Sequence, residues 1–186
     1  MRRLLPVLAF LLAALLVPPV SIRADQTDPR LPQLFDRLLT AESVLEGRAL
    51  EGLIWRIWMT SEDAEVSRLM KIGVEAMAVQ DHRTALATFD QMVEIAPDFA
   101  EGWNKRATAH YLRGDYAASL QDINRTLALE PRHFGALSGL GLVHSALNEE
   151  EAALEAFERA LAINPHMTSV RRNIEELKRR IGGREI

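Results

Sequence analysis

The residues of this chain best suited to chemistry are its five histidines and the acids near them. His110 and His144 stand 34 residues apart, and two imidazoles at matching places could share a metal ion. A metal site needs a third and usually a fourth ligand, and no acid or further histidine stands at helical ligand spacing from either. No metal is expected. His133, beside Arg132, and His166, after Pro165, read as turn or surface residues. With no cysteine, disulfides, thiolate metal sites and cysteine nucleophiles are all excluded. Glu149–Glu151 mark the start of a helix, where the dipole favours negative charge without any reaction. Ser138-Gly139 falls inside a helical stretch rather than on a strand-to-helix elbow. The sequence also lacks His-Glu-x-x-His, Gly-x-Ser-x-Gly and a phosphate-cradling glycine loop. The expectation is a protein that is not an enzyme and has no cofactor.

The elements that carry these side chains follow from size recurring along the chain. Pro97, Pro131 and Pro165 are spaced by 34 residues, and segments 66–99, 100–133 and 134–167 align on them without a gap. The fourth position holds Leu69, Trp103 and Leu137. The eighth holds Gly73, Ala107 and Gly141. The twentieth holds Ala85, Ser119 and Ala153, and the twenty-fourth Phe89, Ile123 and Phe157. Small residues at the eighth and twentieth places let two helices approach closely, and the large ones fill the adjoining space. A proline after the second helix stops it and sets the turn into the next unit. The seventh position is Ile72 and Leu140 in the outer units but Arg106 in the middle one. Arg106 either snorkels its head to water or pairs with a buried acid.

With Gly114-Asp115-Tyr116 at the turn, these residues resemble the tetratricopeptide repeat (TPR) family. The resemblance covers 66–167, and it implies an all-α, right-handed solenoid of antiparallel helix pairs. A repeat array needs capped ends. Residues 168–181 place Val170, Ile174, Leu177 and Ile181 on one helical side and charges on the other, with Thr168 as N-cap. This is the solvating helix of the array, or alternatively a basic docking helix. Residues 182–186 form a tail. Ahead of the repeats, 31–65 reads as a divergent helix pair and connector, with Gly47 separating the two helices. Its Trp55 and Trp58 lie on one helical face, as core packing or as an aromatic protein-contact anchor.

Residues 1–24 begin with Arg2 and Arg3, run apolar from Leu4 to Val17 and break at Pro18-Pro19. That is the pattern of a secretory signal peptide, too short for a comfortable span. Cleavage after Ala24 would remove three arginines and no acid, leaving a more acidic chain with no membrane insertion. Residues 25–30 are then a flexible leader. Export to a bacterial periplasm is expected, with an uncleaved anchor as the alternative. A formal net charge of −4 gives no support to nucleic-acid binding.

In the TPR pattern the first helix of each unit lines a groove. Carried over by position, that groove comprises Ser67, Met70, Val74 and Met77, then Glu101, Asn104, Thr108 and Tyr111, then Gly135, Ser138, Leu142 and Ser145. The resemblance implies a protein or extended-peptide partner there. The places that would clamp a terminal carboxylate are Met70, Val74, Lys105, Gly135 and Gly139, so only Lys105 is cationic. A chaperone-tail clamp is therefore not expected. Gly135 and Gly139, four apart, suit either close approach of a partner backbone or packing on a neighbouring helix. The functional expectation is an envelope adaptor or assembly factor. The alternative is an accessory subunit presenting substrate to a separate enzyme, in cytochrome maturation or peptidoglycan processing.

Overall fold

The computed structural model describes residues 25–183, so the signal-peptide expectation for 1–24 and the last three residues of the tail lie outside it. A short 3-10 turn, Asp25–Thr27, leads into α1 (Leu31–Thr40) and α2 (Val44–Trp58). Three helix pairs follow: α3 (Ala64–Ala78) with α4 (His82–Ile95), α5 (Ala100–Leu112) with α6 (Tyr116–Leu129), and α7 (Phe134–Ala146) with α8 (Glu150–Ile163). The last helix is α9 (Thr168–Gly182). All the described elements are helical, and the pairs stack in chain order, α4 on α5, α6 on α7 and α8 on α9. The fold is an all-α solenoid.

The period of 34 is written into the backbone as well as the core. Each second helix stops two residues before its proline, at Ile95, Leu129 and Ile163. Each turn inside a pair passes through the left-handed region at the same place, Gln80 (φ 62°), Gly114 (φ 79°) and Asn148 (φ 61°). The next amide then reaches back to the first helix, Asp81 to Ala76, Asp115 to His110 and Glu149 to His144, each at 2.9 Å. This bond satisfies a carbonyl that the helix end would leave open. Asp81 and Asp115 also cap α4 and α6, accepting the Thr84 and Ala118 amides.

Within each pair, the eighth position meets the twenty-fourth. A Cβ on Gly73 would strike the Phe89 ring, and one on Gly141 the Phe157 ring. In the middle unit Ala107 replaces glycine and Ile123 replaces phenylalanine, so extra volume on one helix is matched by less on the other. All four of Ala107, Ile123, Phe89 and Phe157 are buried. At the far end α9 buries Val170, Ile174 and Leu177 against Leu137, Phe157 and Ala160. Its N-cap is Met167, without a side-chain bond, so Thr168 begins the helix rather than capping it.

The N-terminal pair departs from expectation in two respects. The break between its helices falls at Ala41–Ser43, and Ser43 caps α2 by accepting the Glu46 amide. Gly47 lies inside α2, buried where a Cβ would strike the His166 ring, so it serves packing instead of the turn. Nor does the pair simply extend the repeat stack. Leu31, Phe35, Leu38, Leu50, Ile54, Ile57 and Trp58 form a core with Phe134 at the start of α7 and with Ile163 and Met167 beside it. The hairpin thus lies along the turns that join successive units.

Candidate functional site

The first helices α5, α7 and α9 share a face, and two adjoining hollows open on it. Asn104, Thr108 and Tyr111 from α5 line the first together with Gly135, Gly139 and Leu142 from α7. The second is a cleft of about 270 Å³ between Tyr111, Leu142, Ser145, Asn173, Glu176 and Arg180. Six of the groove residues expected from position, Asn104, Thr108, Tyr111, Gly135, Leu142 and Ser145, therefore come together on one surface. Ser138 is half-buried on the same helix. Gly139 has only Ile123 within ordinary contact of the place a Cβ would take, at 3.7 Å.

The first unit contributes differently. Met70 is 4% exposed and belongs to the core of α3 and α4, with Val74 and Met77 packed against that core. Met59, at the end of α2, covers the same core. Met70 is a packing residue, because the connector from the N-terminal pair closes over this end of the face.

One end of the face is already occupied. Trp55 stands where a Cβ on Gly135 would come within 2.5 Å of its ring. Trp58 stacks on the His133 imidazole, with ring centroids 4.1 Å apart and planes at 11°. Behind them lies a buried polar cluster. Glu101 and His133 have fully buried side chains, 2.9 Å apart, so His133 is no surface residue. His133 Nδ1 accepts the Ala136 amide and caps α7, which leaves Nε2–H to donate to Glu101. Asn104 Nδ2 donates to the same carboxylate at 3.0 Å, and Lys105 Nζ pairs with its other oxygen at 2.9 Å. Burial alone would raise the Glu101 carboxyl; Lys105 and then His133 outweigh it and hold the group below the ordinary carboxylate range. Lys105 also sits 5.4 Å from the Trp55 ring centroid. The one cation at a clamp position is spent within the chain.

Three of the other histidines lie beside partners within the fold, whereas the buried Nδ1 of His82 has no hydrogen-bond partner among the described residues. His144 Nδ1 meets Glu149 at 2.6 Å across the turn, and His110 lies 3.6 Å from Asp115 at the matching place. His166 Nε2 bonds the Leu38 carbonyl at 3.2 Å. Among the described residues, no group of three or more metal-ligating side chains stands close enough to hold an ion. Nor is any helix there long and apolar enough to cross a membrane.

Sequence reasoning missed the Trp55–Gly135 and Trp58–His133 contacts. The available signal was an excess of large residues in the N-terminal pair without small partners of its own, alongside Gly135, whose counterparts are Ser67 and Glu101.

Stacked helix pairs with an open face on their first helices define a helical-repeat scaffold. A family model described as tetratricopeptide repeat matches residues 70–128 and 107–168. The chain belongs to the TPR family. It is 33% identical over 154 residues to a TPR repeat-containing protein of Rhizobium etli, covering 83% of this chain and 76% of that one. It is 27% identical over 120 residues to the small glutamine-rich tetratricopeptide repeat-containing protein 2 of Saccharomyces cerevisiae, 63% of this chain but only 35% of that protein. Among solved structures it resembles the TPR2B domain of yeast Sti1 in complex with an Hsp70 peptide. There the TM-score is 0.59 at 18% identity, over 63% of this chain and 99% of that one.

Proposed function

We propose that the chain is a non-enzymatic interaction module that binds a protein or extended peptide on the open face of α5, α7 and α9. The observation that carries this reading is the pair of adjoining hollows around Tyr111 and Leu142. Their lining mixes an aromatic ring, an exposed leucine and polar groups from Ser145 and Asn173, with Asn104 and Thr108 bonded within the chain beside them, which suits side chains and backbone of an extended segment. Family membership supports a protein partner, as does the Hsp70 peptide bound by the Sti1 domain. The carboxylate-clamp mode of binding is not part of the proposal, because Lys105 is engaged by Glu101 and Trp55. The buried Glu101–His133 pair is sealed from solvent, and this favours a structural role over general acid–base work.

The pattern of residues 1–24 supports placing the module in the cell envelope of a bacterium, as an adaptor or assembly factor. The test is a surface substitution. Leu142→Arg changes an exposed position on the face, while Leu112→Arg changes an exposed position outside both hollows. Partner capture is expected to fall at least tenfold with the first and stay unchanged with the second, with thermal stability held in both. Equal capture by both variants contradicts the reading.

A further inference from the structure

We infer that the α1–α2 hairpin is a displaceable occupant of the face, a latch that opens as a unit and uncovers Gly135 and the Lys105 side chain, still paired with Glu101, for a bound segment. Its consequence for binding rests on the groove reading, but its opening does not.

Three observations carry the inference. First, the repeat cores close without the hairpin. The buried sets around Phe89, around Ile123 and around Phe157 contain no residue of α1 or α2, and Phe134 is the one buried repeat residue in the hairpin's own core. Removing the hairpin from its seat would therefore uncover one edge and leave the solenoid packed.

Second, the seat is a row of side-chain contacts to successive turns. Gln26, just before α1, bonds the Asp98 carbonyl at 2.6 Å and accepts the Ala100 amide at 3.3 Å. Trp55 and Trp58 lie on Gly135 and His133. Glu51 accepts from Asn164 at 3.1 Å, and the Leu38 carbonyl meets His166. One connector, residues 59–63, joins this assembly to α3. A unit with its own core, tied to the rest by one connector, can open cooperatively at lower free energy than the global core.

Third, the seat overlaps the partner face and is incompletely satisfied. Gly135 lines a hollow of that face and also receives Trp55. Trp58 Nε1 is buried without a hydrogen-bond partner. An orphaned indole donor penalises the closed state and favours exchange with an occupant that leaves it to water.

Hydrogen exchange followed by mass spectrometry on the full chain tests the latch without any partner. The amides of α1 and α2 are expected to exchange at least about tenfold faster than those of α7 and α8. Gly135→Ala places a methyl under Trp55, which should wedge the latch open and speed hairpin exchange further. The same change improves helix propensity in α7, so α7 and α8 should hold or slow. Conversely, the chain has no cysteine, so Gly47→Cys with His166→Cys creates a single disulfide across the seat. Oxidation should bring hairpin exchange down to the rate of α7 and α8. Exchange of hairpin and repeats at one rate, or acceleration of both together by Gly135→Ala, overturns the inference. A face that captures no partner would leave these rates as they are, so the two failures are separable.

Discussion

Arg106 stands where the outer units carry Ile72 and Leu140, and the structure shows what it does there. Its guanidinium makes two bonds to Asp122, at 2.8 and 2.7 Å, one to Asp90 at 3.0 Å, and lies 4.8 Å from the Trp103 ring centroid. Asp122 is only 4% exposed in its side chain. A buried carboxylate that loses its partner is costly, so Arg106→Leu should destabilise by about 3 kcal/mol although it restores the ordinary apolar residue. Changing Asp122→Leu as well should recover most of that, as read by denaturant midpoints in a double-mutant cycle. Of the two sequence readings of Arg106, the buried-acid pairing is the one observed. The acid was hard to find because Asp122 lies sixteen residues away, on the next helix. Glu101 allows a pH test. Its folded carboxyl is held below the ordinary glutamate value of 4.5, so it contributes stability above that value. That contribution is lost as pH falls through the depressed folded value. Wild type should be the more stable at neutral pH, and its denaturant midpoint should converge on that of Glu101→Gln as the solution is acidified. Curves that stay parallel would mean that the carboxylate is not what secures the seat.

At the scale of the helix pair, volume is conserved between two positions rather than at either one. Gly141 faces Phe157, while Ala107 faces Ile123. Gly141→Ala should therefore cost roughly 1–3 kcal/mol by overpacking, despite its better helix propensity. Adding Phe157→Ile, which copies the middle unit, should return a good part of the loss, measured by thermal unfolding. This pairing was legible in advance because its members recur every 34 residues, and so were the helix stops before Pro97, Pro131 and Pro165. The left-handed turns were legible only at Gly114, since Gln80 and Asn148 do not announce a positive φ as glycine does. The packing role of Trp55 and Trp58 was legible, but where the hairpin seats was not. Trp55 meets Gly135 across eighty positions, outside any period, and periodicity speaks only for residues that repeat.

For the molecule as a whole, the three units make a stack that α9 finishes at one end and the hairpin borders along the turns. The open surface is what remains of the first-helix face after Trp55, Trp58 and Met59 have taken their places. This explains why the expected groove residues separate into two groups, with Met70 buried and the set from Asn104 to Leu142 gathered around the hollows. The central claim is that partners bind this remaining face. Its most direct measurement is photo-crosslinking in living cells from a benzophenone side chain at Tyr111, with Gln121 on α6, exposed and outside both hollows, as the control. A discrete adduct from Tyr111 and none from Gln121 is the predicted result. Adducts from Gln121 alone, or of equal strength at both positions, would contradict it.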